Sequence, residues 1–173
     1  MHDALWAGWR SRYLENRSSS DRSVFREILE SGRSDEESLI VWRGADVFAL
    51  MNLHPYTVGH LLVLPYRQVV DLVDLTVAER TELWAAAADA TSVLRDEYRP
   101  EGINIGLNLG VASGGSIRDH LHVHVVPRWV GDGNFLAATA STRQLPEALD
   151  VTADRIRRAW SRHDRGSRVV VDE

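Results

Sequence analysis

His120-Leu121-His122-Val123-His124-Val125-Val126 alternates imidazole and aliphatic side chains before closing on two valines. A β-strand has a side-chain period of two, so the three histidines project from one face and Leu121, Val123 and Val125 from the other. The aliphatic face can enter a core. Packing alone does not explain three imidazoles in a row. They titrate near neutrality and can act as base, nucleophile or metal ligand. A His pair at i and i+2 on a strand suits a metal, and a third His could complete the set. No Asp, Glu or Cys on the same face of the strand adds to such a set.

The segment just upstream, NLGVASGGS (108–116), adds a second feature. Small residues let backbone N–H groups approach an anion, and serine hydroxyls add donors. Such a loop is a weak signal alone. Leading directly into the histidines, it brings anion donors and neutral imidazoles to one point, which suits nucleophilic attack at phosphorus.

Working outward, the strand belongs to an α+β pattern. Ser20 or Asp21 is placed to cap a helix through about Ser31, with Phe25, Ile28 and Leu29 on one face and Gly32 as its stop. Residues 39–43 and 46–51 read as strands around the turn Arg43-Gly44-Ala45, and 60–64 as a third strand closed by Pro65. Thr76 and Glu79 form a capping box for a helix to Tyr98 with an apolar stripe of Leu83, Ala86, Ala87, Ala90 and Leu94. A strand over 103–109 follows, then the loop and the histidine strand. Pro146 opens a last helix to about Arg162, and 163–173 is expected to be a mobile charged tail. The order predicts an antiparallel sheet crossed by a long helix, with helices near both ends.

The 173 residues are 44% hydrophobic and 26% charged, in keeping with one globular domain over 1–173 and a core over about 36–136. The net charge of −5 supplies no general basic field for nucleic acid. Cysteine is absent, so disulfides and thiolate metal sites are excluded. No apolar run reaches the ~20 residues of a membrane span, and residues 1–10 do not read as a signal peptide. The cytoplasm is the expected compartment.

The histidine strand fits the H-φ-H-φ-H-φ-φ signature and resembles the histidine triad (HIT) superfamily. NLHPYTVGHLLVLP (52–65) resembles that family's N-x-x-P-x-x-x-G-H-x-L-V-x-P block. Pro127-Arg128-Trp129, with Gly131-Asp132 and Asn134-Phe135 after it, resembles the branch of bacterial diadenosine tetraphosphate (Ap4A) phosphorylases. The resemblance extends over about residues 5–160. It implies the HIT fold, a homodimer or higher homo-oligomer, and nucleotidyl transfer through a histidine intermediate. The implied activity is phosphorolysis of Ap4A to ATP and ADP, with an adenine nucleotide and inorganic phosphate as partners. Alternatives are a nucleotidyl hydrolase or phosphoramidase, a pathway-specific nucleotidyltransferase or, in another class, a dormant nucleotide-binding protein.

By the same resemblance His122 is the nucleophile, His124 contacts phosphate oxygens, and His120 orients the array and the leaving group. His60 joins their hydrogen-bond network. Asn52 is expected at the ribose, and Asn108, Gly115 and Ser116 around the phosphates. Hydrolase relatives commonly carry Gln where this chain has Ser116, so that position is expected to bear on the second nucleophile. No tightly bound cofactor is implied; Mg2+ would enter only with the polyphosphate. Many relatives carry C-x-x-C near the N-terminus and a His after the L-V-x-P strand as a structural zinc site. Here Ser23, Arg26 and Gln68 stand at those positions, so zinc is expected to be absent. Trp6, Trp9 and Trp129 are expected in core or interface, Trp84 and Trp160 in helix packing, and His54 on a surface loop.

Overall fold

A computed structural model of the chain describes residues 22–132 and 146–169. Helix α1 (Val24–Glu30) precedes strands β1 (Ile40–Arg43), β2 (Val47–Met51) and β3 (Leu61–Pro65). Helix α2 (Val77–Tyr98), β4 (Gly102–Leu107), β5 (Val123–Arg128) and α3 (Leu149–Val169) follow. The strands pair antiparallel in the order β1-β2-β3-β5-β4. The α+β architecture expected from the sequence is the one that forms.

The sheet is covered unequally. On one face α2 and α3 bury Leu83, Ala86, Ala90, Leu94, Ile156 and Trp160 against Val47, Val63, Val123 and Val125. The other face carries Ile40, Phe48, Leu50, Leu62 and Leu64, covered by Phe25 of α1 with Ile28 and Leu29 beside it. Burial on both faces explains why β3 reads as an unbroken apolar run. Each fully buried large aliphatic contributes about 2 kcal/mol.

Polar ties fix the helices to the sheet. In the capping box of α2 the Thr76 side chain accepts from Glu79 N, and Glu79 accepts from Thr76 N. Glu79 also takes a two-pronged hydrogen bond from Arg67 at 2.9 and 2.7 Å, which joins the exit of β3 to the helix. The Arg67 guanidinium holds the Glu79 carboxyl down at about 2, opposed by burial. Glu82 accepts from the backbone N–H groups of Ala45, Asp46 and Val47, holding the β1–β2 turn. A side chain at Gly44 would strike that carboxylate.

Several expected boundaries are corrected. The cap of α1 is Ser23, not Ser20 or Asp21: its hydroxyl accepts from Phe25 N and also reaches His120. β3 starts at Leu61 and includes Pro65, which pairs with Val47, and β4 covers 102–107. The C-terminal helix begins at Leu149 and runs through 163–169, where a tail was expected. His163 lies 3.2 Å from Asp89 of α2, and Asp164 accepts from the Trp42 indole of β1 at 3.2 Å, so those turns are tied down. Trp160 is buried as expected, whereas Trp84 is 43% exposed. It lies one residue off the buried stripe, about 100° round the helix. The expectations for Trp6, Trp9, Asn134, Phe135 and residues 170–173 fall outside the described residues.

Candidate active site

The three histidines lie on the α1 face of the sheet. His124 sits in the β5 ladder, opposite Leu62 of β3 and Gly106 of β4. His120 and His122 lie just ahead of that ladder, a shorter regular strand than expected. Phe25 packs against both, 5.5 Å between ring centroids in each case. His122 and His124 meet edge to face at 4.9 Å.

The partners determine which ring nitrogens carry protons. A backbone carbonyl can only accept. His122 Nδ1 lies 2.8 Å from the His120 carbonyl, so Nδ1 donates and Nε2 keeps its lone pair. His120 Nε2 lies 2.8 Å from the Pro65 carbonyl and therefore donates to it. Its Nδ1 then accepts from the Ser23 hydroxyl at 2.9 Å.

A second chain of bonds starts from a backbone donor. Tyr56 N–H donates to His60 Nδ1 at 3.0 Å. Neutral His60 must then donate from Nε2 to His124 Nδ1, also 3.0 Å away. That leaves the His124 proton on Nε2, facing the Asn108 side-chain amide 3.4 Å away, which accepts it when the amide turns its oxygen to the ring. His122 thus presents a lone pair and His124 an N–H, the pair of polarities needed to attack phosphorus while binding its oxygens.

Burial sets the charge state. It is the largest cause holding His120 and His122 below the ordinary imidazole range. His124 is held down at about 4 by burial and then by His122. The array is neutral at pH 7, as a nitrogen nucleophile requires.

The structure brings together most of the sequence-expected residues. Gly115 packs on Asn108 so closely that a Cβ at 115 would lie 2.9 Å from Asn108 Cβ. This places the 110–116 loop beside His124, with Ser116 half-buried next in the chain. Gly110 and Gly114 supply the left-handed turns that bend the loop. Asn52 lies over His60, its amide nitrogen 3.4 Å from both ring nitrogens, and its carbonyl oxygen accepts from His54 N. His54 is exposed, as expected.

Four further residues were not legible as site residues. Tyr56 stacks near His124 at 6.2 Å and starts the His60 chain through its backbone. Gly106, beside His124 on the sheet, would meet nothing within 4 Å if it carried a Cβ, which leaves that flank open. Phe25 and the Pro65 carbonyl wall in the other end. Only the turn between Pro55 and Gly59 hinted at Tyr56; the rest are tertiary.

The positions where relatives hold zinc converge at the closed end. Ser23 N donates to Gln68 Oε1 at 3.2 Å, and Arg26 Nη1 donates to the Tyr66 carbonyl at 3.5 Å. A hydroxyl, a guanidinium and an amide are not a zinc donor set, and the free lone pair of His120 is already taken by Ser23. These residues do not fit the metal.

Comparison with known proteins agrees with this geometry. Residues 33–130 match the HIT domain. The AP-4-A phosphorylase of Mycobacterium tuberculosis is 45% identical over 166 residues, covering 91% of this chain and 84% of that protein. A bis(5'-adenosyl)-triphosphatase of Dictyostelium discoideum is 40% identical over 81 residues, 47% of this chain and 54% of that one. A Zn-bound histidine triad family protein from Mycobacterium smegmatis superposes with a TM-score of 0.67 at 26% identity, over 83% of this chain and 96% of that chain. With its histidine array assembled at the start of β5 and matched in sequence and in fold, the chain belongs to the HIT family.

Proposed function

We propose that the protein is a nucleotidyl-transfer enzyme that cleaves Ap4A by phosphorolysis. The observation that carries this reading is His122: a buried neutral ring, its Nδ1 proton held by the His120 carbonyl at 2.8 Å and its Nε2 lone pair available. The identity to a protein named AP-4-A phosphorylase supports the substrate.

His122 Nε2 attacks one α-phosphorus. The N–P bond forms as the P–O bond to the polyphosphate breaks, releasing ATP and leaving AMP on His122. An oxygen of inorganic phosphate then attacks that phosphorus, the N–P bond breaks, and ADP leaves with the ring restored. His124 donates from Nε2 to a phosphate oxygen. His120 orients the array and His60 sets the His124 tautomer. Asn52 serves the ribose, and Asn108, Gly115 and Ser116 line the phosphates. Mg2+ would arrive only on the polyphosphate, and structural zinc is not required.

The edge position and exposure of β4, with Ile105 45% exposed, support pairing with a second copy. Among the described residues no helix is long and apolar enough to cross a membrane. We place the protein in the cytoplasm.

Ap4A turnover with and without phosphate tests the reading. The expected products are ATP and ADP, with a covalent AMP adduct trapped when phosphate is withheld. Ser116→Gln is expected to shift the products toward ATP and AMP. Equal rates of ATP and AMP release with and without phosphate would overturn phosphorolysis in favour of hydrolysis.

A further inference from the structure

We propose that Ser23 is a positioning residue of the histidine array, an inference that rests on the reading of His122 as nucleophile. Its hydroxyl fixes the His120 ring, and the carbonyl of that same residue holds the His122 proton.

Ser23 is fully buried. Its Oγ accepts from Phe25 N at 3.1 Å as the cap of α1. The single hydroxyl proton is then directed to His120 Nδ1 at 2.9 Å. A carboxylate or carbonyl at this place would reverse the demand on His120, because Nε2 must donate to Pro65 O. A hydroxyl satisfies helix and ring together, which few side chains can do. The same junction is braced from the backbone by Gln68 and Arg26, which tie α1 to the exit of β3.

The connection to chemistry is short. The ring is pinned at both nitrogens, by Ser23 and by Pro65. The carbonyl leaving that pinned residue accepts from His122 Nδ1 at 2.8 Å. The peptide that carries this carbonyl is also held by Leu121 N–H, which donates to the Val69 carbonyl at 2.6 Å. The ring adds the second restraint on the acceptor of the His122 proton, and loosening the ring weakens the preference of that proton for Nδ1. A proton on Nε2 blocks attack. A hydrogen-bonded clasp therefore occupies the junction whose side chains do not fit the zinc that many relatives carry.

The test combines ring-nitrogen NMR of the free protein with single-turnover adduct formation. In the unsubstituted protein, His120 is expected to carry its proton on Nε2 and His122 on Nδ1. A proton on His120 Nδ1 would overturn the proposal without any variant. Ser23→Gly removes the hydroxyl while keeping a residue that caps helices nearly as well. It is expected to mix the His122 tautomers and slow adduct formation about tenfold with KM little changed. Ser23→Thr, which keeps the hydroxyl, should restore both. A folded Ser23→Gly protein with an unmixed His122 tautomer and a rate within about twofold of the parent would also overturn it. Failure of the unsubstituted protein to form any adduct would count against the nucleophile reading itself, while the ring spectra still judge the clasp.

Discussion

The two ends of the histidine row share residue type and face, yet they sit in opposite surroundings. At the closed end His120 is buried, its ring nitrogens both engaged within the fold and Phe25 against its edge. At the open end His124 is half-buried, flanked by Gly106 and turned toward Asn108 and the glycine-rich loop. His122 lies between, taking its proton anchor from one end and sharing its reacting edge with the other. Chemical identity therefore does not assign work in this row. Each ring's role follows from which of its nitrogens the fold occupies.

Removing the middle ring should break the comparison most completely. His122→Ala is expected to reduce adduct formation by at least about a thousandfold, or about 4 kcal/mol. His163→Gln, on α3, should leave it unchanged in the same mass-spectrometric trap. Next in size is the wall of the closed end. Phe25→Ala should lower unfolding stability by about 3 kcal/mol, measured in urea, because it empties a buried ring site against His120 and His122. At the open end Gly115→Ala should act on binding instead. Its new Cβ would push Asn108 away, raising KM about tenfold with little change in melting temperature.

The smallest effect on adduct formation is a pH response that both ends share. Protonation removes a lone pair, and burial holds these rings below the ordinary range. Adduct formation should stay level as pH falls through 6.5 and decline only in more acid solution. Stability behaves differently. Below about 6.5 the unfolded histidines take up protons that the folded rings refuse, so stability falls with pH by up to about 1.4 kcal/mol per unit for each such ring. Thermal melts between pH 7.5 and 5.5 would check the slope, and a melting temperature rising toward acid would contradict it.

Much of this was legible in the sequence because local rules and tertiary demands agreed. The alternation at 120–126 gave one face of histidines, and Thr76 with Glu79 marked the start of α2. The rest depended on contacts between distant segments. The sequence offers Ser20 or Asp21 as the cap of α1, but Ser23 takes that place, with its hydroxyl shared between Phe25 N and His120, nearly a hundred positions away. The end of α3 is carried past its sequence signals by Asp89 and Trp42. Trp84 was a misjudged signal: the stripe through Leu83 and Ala87 already places position 84 off the buried face. Tyr56 acts through a backbone N–H, which no side-chain reading reveals.

The hydroxyl at the closed end also determines what the array is exposed to as a chemical object. A thiolate at that junction would be open to peroxide and a metal to chelators, and either would carry its damage to the neighbouring ring. Serine offers neither reaction, and the chain contains no cysteine elsewhere. The alignment of His122 then rests on a hydroxyl and two backbone carbonyls, groups that neither peroxide nor a chelator attacks.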